Sequence, residues 1–232
     1  MELFMIKVDG RKRIVKARII LFQDKMLGWF GVFGRHHLPW RQEGLSSYEI
    51  VIAEVLLQRT KAETVEKFHA LFLETFPSWE AIAKADNSFI EQQLQPVGLY
   101  RQRAKRLKDL ALEMVGREGR FPSDRKSLEQ IPFLGQYIVN AIELQLFNKP
   151  RPLIDVNMTR VLERYFEERQ LADIRCDPYL QSLAFRVINH PRSKEINWAI
   201  LDFAASICKA RVPLCTSCLL ADTCTFYKKN LF

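Results

Sequence analysis

The sequence predicts an all-α fold, and three observations carry that expectation. Apolar residues recur at three- and four-residue intervals from about residue 19 onward. Gly and Pro number only 9 and 10 in 232 residues, and they fall mostly between the periodic segments, where they punctuate rather than interrupt. The connections left between those segments are short, as in a domain built from many small helices.

Taken in order, residues 1–18 read as a short basic extension. Two alternating segments flank Asp9-Gly10, a hairpin-like turn signal, and the second arm carries Arg11, Lys12, Arg13, Lys16 and Arg18. Helices are then expected at about 19–34, 46–60, 62–76, 79–85, 87–94, 101–116, 125–130, 136–147, 155–166, 177–190 and 195–207. Ser46 opens the second of these as an N-cap, and Asp155 opens the one that follows "KPRPLI". No internal repeat or low-complexity stretch is present.

A hydrophobic fraction of 48% and a charged fraction of 27% describe an ordinary globular chain. Its 35 Lys and Arg outnumber 27 acids, for a net charge of +8. That balance suits either a polyanionic partner or a basic surface with none. The opening "MELFMIKVDG" lacks a secretory pattern, and no apolar run is long enough for a bilayer. A cytoplasmic protein with no membrane association is expected. In that compartment clustered cysteines point to a metal rather than to disulfides.

Four of the five cysteines, Cys208, Cys215, Cys218 and Cys224, lie in "CKARVPLCTSCLLADTC" with the spacing Cys-x6-Cys-x2-Cys-x5-Cys. Structural zinc usually shows two short Cys pairs and only one is present here. A cubane iron–sulfur cluster tolerates longer gaps, so spacing favours the cluster and leaves zinc open. Cys176 stands apart and reads as an ordinary structural thiol.

The order of these spacings resembles the cluster loop of the endonuclease III superfamily of DNA glycosylases. Further landmarks match that superfamily in order: "LPWR" (38–41), "AEVLLQRTKAETV" (53–65), "GLYRQRAKRLKDLA" (98–111), "IPFLGQY" (131–137), "LIDVNMTRV" (153–161) and "LDFAASIC" (201–208). The match runs from about residue 20 to the end. It looks most like the mismatch-specific thymine glycosylases and the related adenine glycosylases. The resemblance implies a [4Fe–4S] cluster on the four cysteines and two helical lobes, with DNA and a flipped base in the cleft between them. One lobe is expected at 46–150, with a helix-hairpin-helix element. The other is expected at 19–45 plus 151–232, with the cluster. Residues 1–18 fall outside the match. The implied partner is double-stranded DNA containing a mismatch, bound by a monomer associated with the nucleoid.

Cutting an N-glycosidic bond leaves positive charge on the sugar and negative charge on the departing base, after the base has been drawn out of the stack. The chemistry calls for one ionised carboxylate and one proton donor. Asp155 suits the first role, because helix-end amides hold a carboxylate charged; by position alone it is equally a plain N-cap. The resemblance makes it the family's essential Asp, with Asn157 as the polar residue that orients the sugar or the Asp. Glu54 suits the second role. It stands among Ile50, Val51, Ile52, Ala53, Val55, Leu56 and Leu57, where it either faces a cleft, with its pKa raised, or lies on a solvated stripe. The resemblance places the corresponding acid in the base pocket.

In the strand-cleaving branch of the superfamily the position of Tyr137 is a lysine, whose amine attacks the sugar. A phenol cannot form that Schiff base, so Tyr137 implies a monofunctional enzyme, its hydroxyl bonding Glu54 or Asp155. The competing reading is a tyrosine that caps the core. The turn before it resembles a helix-hairpin-helix, in which backbone amides such as those of Gly135 and Gln136 hold phosphates. Phe133 stands where the pattern has its first Gly, and is expected to disfavour the usual backbone angles. Lys209 and Arg211, in the cysteine loop, are candidate phosphate contacts.

Gln58 and Arg59 follow Glu54 on the same expected helix, near where the family pushes side chains into the duplex. Adenine enzymes typically carry two glutamines there, and thymine enzymes an Arg at the second position. Only eight residues follow Cys224, whereas adenine enzymes usually add a further domain. Thymine or uracil opposite guanine is therefore the leading substrate and adenine opposite guanine or 8-oxoguanine the runner-up. A non-catalytic iron–sulfur DNA-binding module and a zinc-bound scaffold are the readings from other classes.

Overall fold

A computed structural model describes residues 16–230. Among these residues there is no β-strand; the elements are α-helices and short 3-10 turns. In chain order the helices are α1 (Lys16–Phe33), α2 (Ser47–Leu57), α3 (Ala62–Thr75), α4 (Trp79–Lys84), α5 (Asn87–Leu94), α6 (Tyr100–Gly116), α7 (Arg125–Glu129), α8 (Gln136–Gln145), α9 (Val156–Tyr165), α10 (Pro178–Ile188), α11 (Ser193–Ser206) and α12 (Thr225–Lys229). The eleven expected helices are all present. Two ends differ. Lys16 and Arg18 begin α1 instead of ending an extension over 1–18, and the rest of that extension, with its hairpin-like turn at Asp9-Gly10, lies outside the described residues. The second helix stops at Leu57, three residues early, because Arg59 turns left-handed at φ +57.

The chain divides into two compact units, one of residues 1–35 and 149–232, the other of residues 36–148. In the first, α1 packs on α10 and α11, and α9 packs on α10, α11 and α12. Its centre is aromatic. Phe22 meets Tyr165 at 4.9 Å and Phe166 at 5.5 Å between ring centroids, and all three rings are fully buried. Arg18 fastens the start of α1 there by donating to the Tyr165 carbonyl, to the Thr223 carbonyl (2.8 Å) and to the Thr225 hydroxyl (2.8 Å). At the other end of α1, Arg35 pairs with the buried Asp202 of α11 at 2.7 Å.

In the second unit α2 lies against α3 and α8, α6 against α4 and α5, and α7 against α8. Val51, Ile52, Ala53 and Leu56 bury every face of α2 but one. A helix so apolar is stable only in the middle of a core. Its start is set by a full capping box. The Ser46 hydroxyl accepts from the Glu49 amide at 3.2 Å, and the Glu49 carboxylate accepts from the Ser46 amide at 2.8 Å. No helix among the described residues is long and apolar enough to cross a membrane.

Candidate functional site

The one acid on α2's inner surface is Glu54, only 4% exposed. Its Oε1 accepts from Gln145 Nε2 of α8 at 2.5 Å, and Tyr137, in the first turn of α8, also hydrogen-bonds the carboxyl. The Oε2 atom is buried without a hydrogen-bond partner. Burial pushes the Glu54 pKa up to about 7, against the lowering effect of Tyr137, Arg41 and Gln145. Of the two readings of this residue, the buried acid with a raised pKa is the one realised. The half-buried ring of Tyr137 packs against the core while its hydroxyl bonds Glu54, so it is not a tyrosine that merely caps the core with its hydroxyl in water.

Gln58 and Arg59 are exposed, but not on α2 as expected. Gln58 is its C-cap, and Arg59 stands beyond the helix in the left-handed region. In the turn before α8, Phe133 is 45% exposed and takes φ +67. The turn keeps the glycine-like conformation all the same, and the phenylalanine that disfavours it bears the strain. Gly135 is the N-cap of α8 at φ −70 and is exposed. A Cβ there meets nothing within 4 Å, so glycine is not required by space or angle.

Asp155 and Asn157 belong to the other unit, with the cysteines. Asp155 caps α9 as its position in the sequence suggests. Its Oδ1 accepts from the amides of Asn157 (2.9 Å) and Met158 (2.7 Å), and its Oδ2 from the Asn157 side-chain amide (2.7 Å). These groups all donate, which suits the ionised form. Burial nevertheless outweighs them and pushes the Asp155 pKa above its ordinary value, where the helix-end argument alone expects lowering. Asn157 is itself held, since both terminal nitrogens of Arg160 donate to its Oδ1 at 3.2 Å. Arg160 also donates to the carbonyls of Cys208 (2.9 Å) and Ala204 (3.1 Å). An unbroken line of hydrogen bonds therefore runs from the Asp155 carboxylate to the backbone of the first loop cysteine.

Cys208, Cys215, Cys218 and Cys224 line one cavity with Val161, Tyr165, Phe203 and Leu220. Arg164 braces this loop. It donates to the carbonyls of Lys209 (2.7 Å) and Ala210 (3.0 Å), and stacks on Phe226 at 4.8 Å. Burial pushes the Cys218 thiol up to about 11, and the neighbouring sulfurs push it further the same way. Buried, mutually repelling thiols of this kind suit a cationic centre that deprotonates them. Among the described residues no three His, Cys, Asp or Glu side chains converge on a single-ion site. Lys209 and Arg211 are exposed on the loop. Cys176 is exposed rather than structural, in a turn before α10. Gln145, Arg160 and Arg164 carry no signal in the sequence, because their partners lie 91, 48 and 45 residues away.

The model of the HhH-GPD superfamily of base excision DNA repair proteins matches residues 52–174. A thymine-DNA glycosylase of Aeropyrum pernix is 35% identical over 93% of this chain and 98% of its own length. A thymine/uracil-DNA glycosylase of Pyrobaculum aerophilum is 36% identical over 90% of this chain and 93% of its own. An adenine DNA glycosylase of Buchnera aphidicola is 27% identical, and the match spans 60% of its length. Among solved structures, a thermostable thymine-DNA glycosylase superposes with a TM-score of 0.83 at 31% identity, covering 92% of this chain and 98% of its own.

Proposed function

This chain belongs to the HhH-GPD superfamily of base excision DNA repair proteins, and on that footing we propose that it is a monofunctional DNA glycosylase that releases thymine or uracil paired with guanine. The observation that carries the reading is the buried Glu54 carboxyl beside a tyrosine. Held half-protonated near pH 7, Glu54 delivers a proton to the departing base. Asp155, which accepts three hydrogen bonds, stabilises the positive charge that builds on the sugar. The sugar cation is then captured by water, since the nucleophilic amine of the superfamily's strand-cleaving branch is replaced by the Tyr137 phenol. The product is an intact strand bearing an abasic site.

The N-terminal turn of α8 at Gly135 and Gln136, together with Lys209 and Arg211, supplies phosphate contacts that hold the duplex irrespective of sequence. Gln58 and Arg59 meet the bases, and the Arg59 guanidinium suits the acceptor edge of guanine. The four cysteines would hold a [4Fe–4S] cluster, which when bound supplies a cationic anchor for their thiolates and stiffens the loop bearing Lys209 and Arg211. The spacing of the four cysteines, with one short Cys pair rather than two, supports a cluster over zinc, and all four line one cavity.

The test is incubation with labelled duplexes containing G:T, G:U, A:G, A:8-oxoguanine and oxidised pyrimidines, followed by hot alkali. Strand breaks at thymine and uracil opposite guanine, appearing only after alkali, are expected. Breaks without alkali, or none from any duplex, overturn the reading.

A further inference from the structure

Arg103 lies in the first turn of α6 and is 6% exposed, unlike its exposed neighbours Arg101, Lys105 and Arg106. A guanidinium so placed is lost to phosphate contact. It also holds its charge in a costly place, because all its hydrogen-bond partners are neutral. It donates to the carbonyl of Leu56 at 2.8 Å, to the carbonyl of Gln58 at 2.8 Å and to the Thr60 hydroxyl at 3.1 Å. The first two are orphan acceptors at the C-terminal end of α2, where a cation offsets the helix dipole. A glycine after the helix caps such an end with no buried charge.

What distinguishes this cap is the residue it encloses. The bonds to Gln58 and Thr60 fall on either side of Arg59, which is exposed and sits at φ +57, a conformation that arginine does not adopt without support. Thr60 locks the same turn from its far side by bonding the Val97 carbonyl at 3.2 Å. The turn that projects Arg59 is thus pinned to α6 at both flanks, while the Arg59 side chain itself is left out in solvent.

We infer that Arg103 is a positioning residue for Arg59: by bridging residues 58 and 60 it holds the backbone from which Arg59 reads the base opposite the excised one. The inference rests on the function proposed above. Rigidity at residue 59 matters because a long side chain discriminates between bases only if its base of attachment is fixed.

The experiment measures single-turnover release of uracil from G:U and A:U duplexes of one sequence, for the wild type, Arg59→Ala, Arg103→Met, Arg103→Lys and the double variant Arg59→Ala/Arg103→Met. The expected result is a G:U over A:U rate ratio that falls about tenfold in Arg59→Ala and in Arg103→Met. The double variant falls no further than Arg59→Ala alone, because the two residues act as one unit. Arg103→Lys, which keeps the charge with fewer donors, recovers part of the ratio and serves as the second variant should Arg103→Met fail to fold. An undiminished ratio in either Arg103 variant overturns the inference, as do losses that add in the double variant or a wild type that releases uracil equally from both duplexes. A wild type that releases nothing from either duplex counts against the proposed activity instead.

Discussion

The Glu54 carboxyl accepts a 2.5 Å hydrogen bond from Gln145, a residue 91 positions later in the chain, so α2 and α8 jointly hold one buried acid. Since the folded protein keeps that proton up to about pH 7, excision at saturating substrate is expected to decline as pH rises through 7. Glu54→Gln removes the decline and lowers the rate by about 10²–10⁴-fold. A pH–rate profile of both proteins checks this.

The same proton links to stability. The unfolded chain releases it near 4.5 and the folded chain near 7. The folded state therefore binds more protons between these values, and stability falls as pH rises across them, by about 3 kcal/mol in total. Glu54→Gln is expected to escape that loss and to melt at a higher temperature than the wild type at pH 8, as read by circular dichroism.

Asp155→Asn is expected to lower excision by about 10²–10³-fold while DNA affinity is kept. Arg160→Met leaves the carboxylate in place but frees Asn157, which Arg160 holds at 3.2 Å. A drop of about tenfold in single-turnover rate, with unchanged affinity by fluorescence anisotropy, is the expected result.

Tyr137→Lys places an amine beside Glu54 and is expected to yield a covalent protein–DNA adduct on borohydride treatment, seen as a shifted band on a denaturing gel. The wild type gives none.

Phe133→Gly relieves a left-handed residue whose ring is 45% exposed. A gain of up to about 1 kcal/mol in chemical denaturation is expected, since little packing is lost.

Much of this molecule was legible in its sequence. Periodicity located all eleven helices that were expected, and the Ser46 and Asp155 caps mark two helix starts correctly. The α12 helix escaped because five residues without a side-chain cap give no periodic signal. Glu54 stood out among its apolar neighbours, but they left a solvated stripe open, and only the packing of α8 against α2 decides for burial. Arg160 and Arg103 did not stand out, because a basic residue on a helix is ordinarily solvated, and only tertiary structure brings backbone carbonyls to it from 44–48 and 45–47 residues away. The end of α2 was misplaced for the same reason. Nothing local in "LLQRT" announces that a distant guanidinium stabilises a left-handed arginine.

The first unit is assembled from both ends of the chain, with α1 resting on α10 and α11. During synthesis α1 leaves the ribosome long before its neighbours exist, and Phe22, Met26 and Phe30, all fully buried in the finished protein, must wait exposed to water. Residues 36–148 meanwhile emerge as one uninterrupted run with a core of their own. They are free to fold first and leave the waiting helix as the segment most exposed to aggregation and most in need of a chaperone.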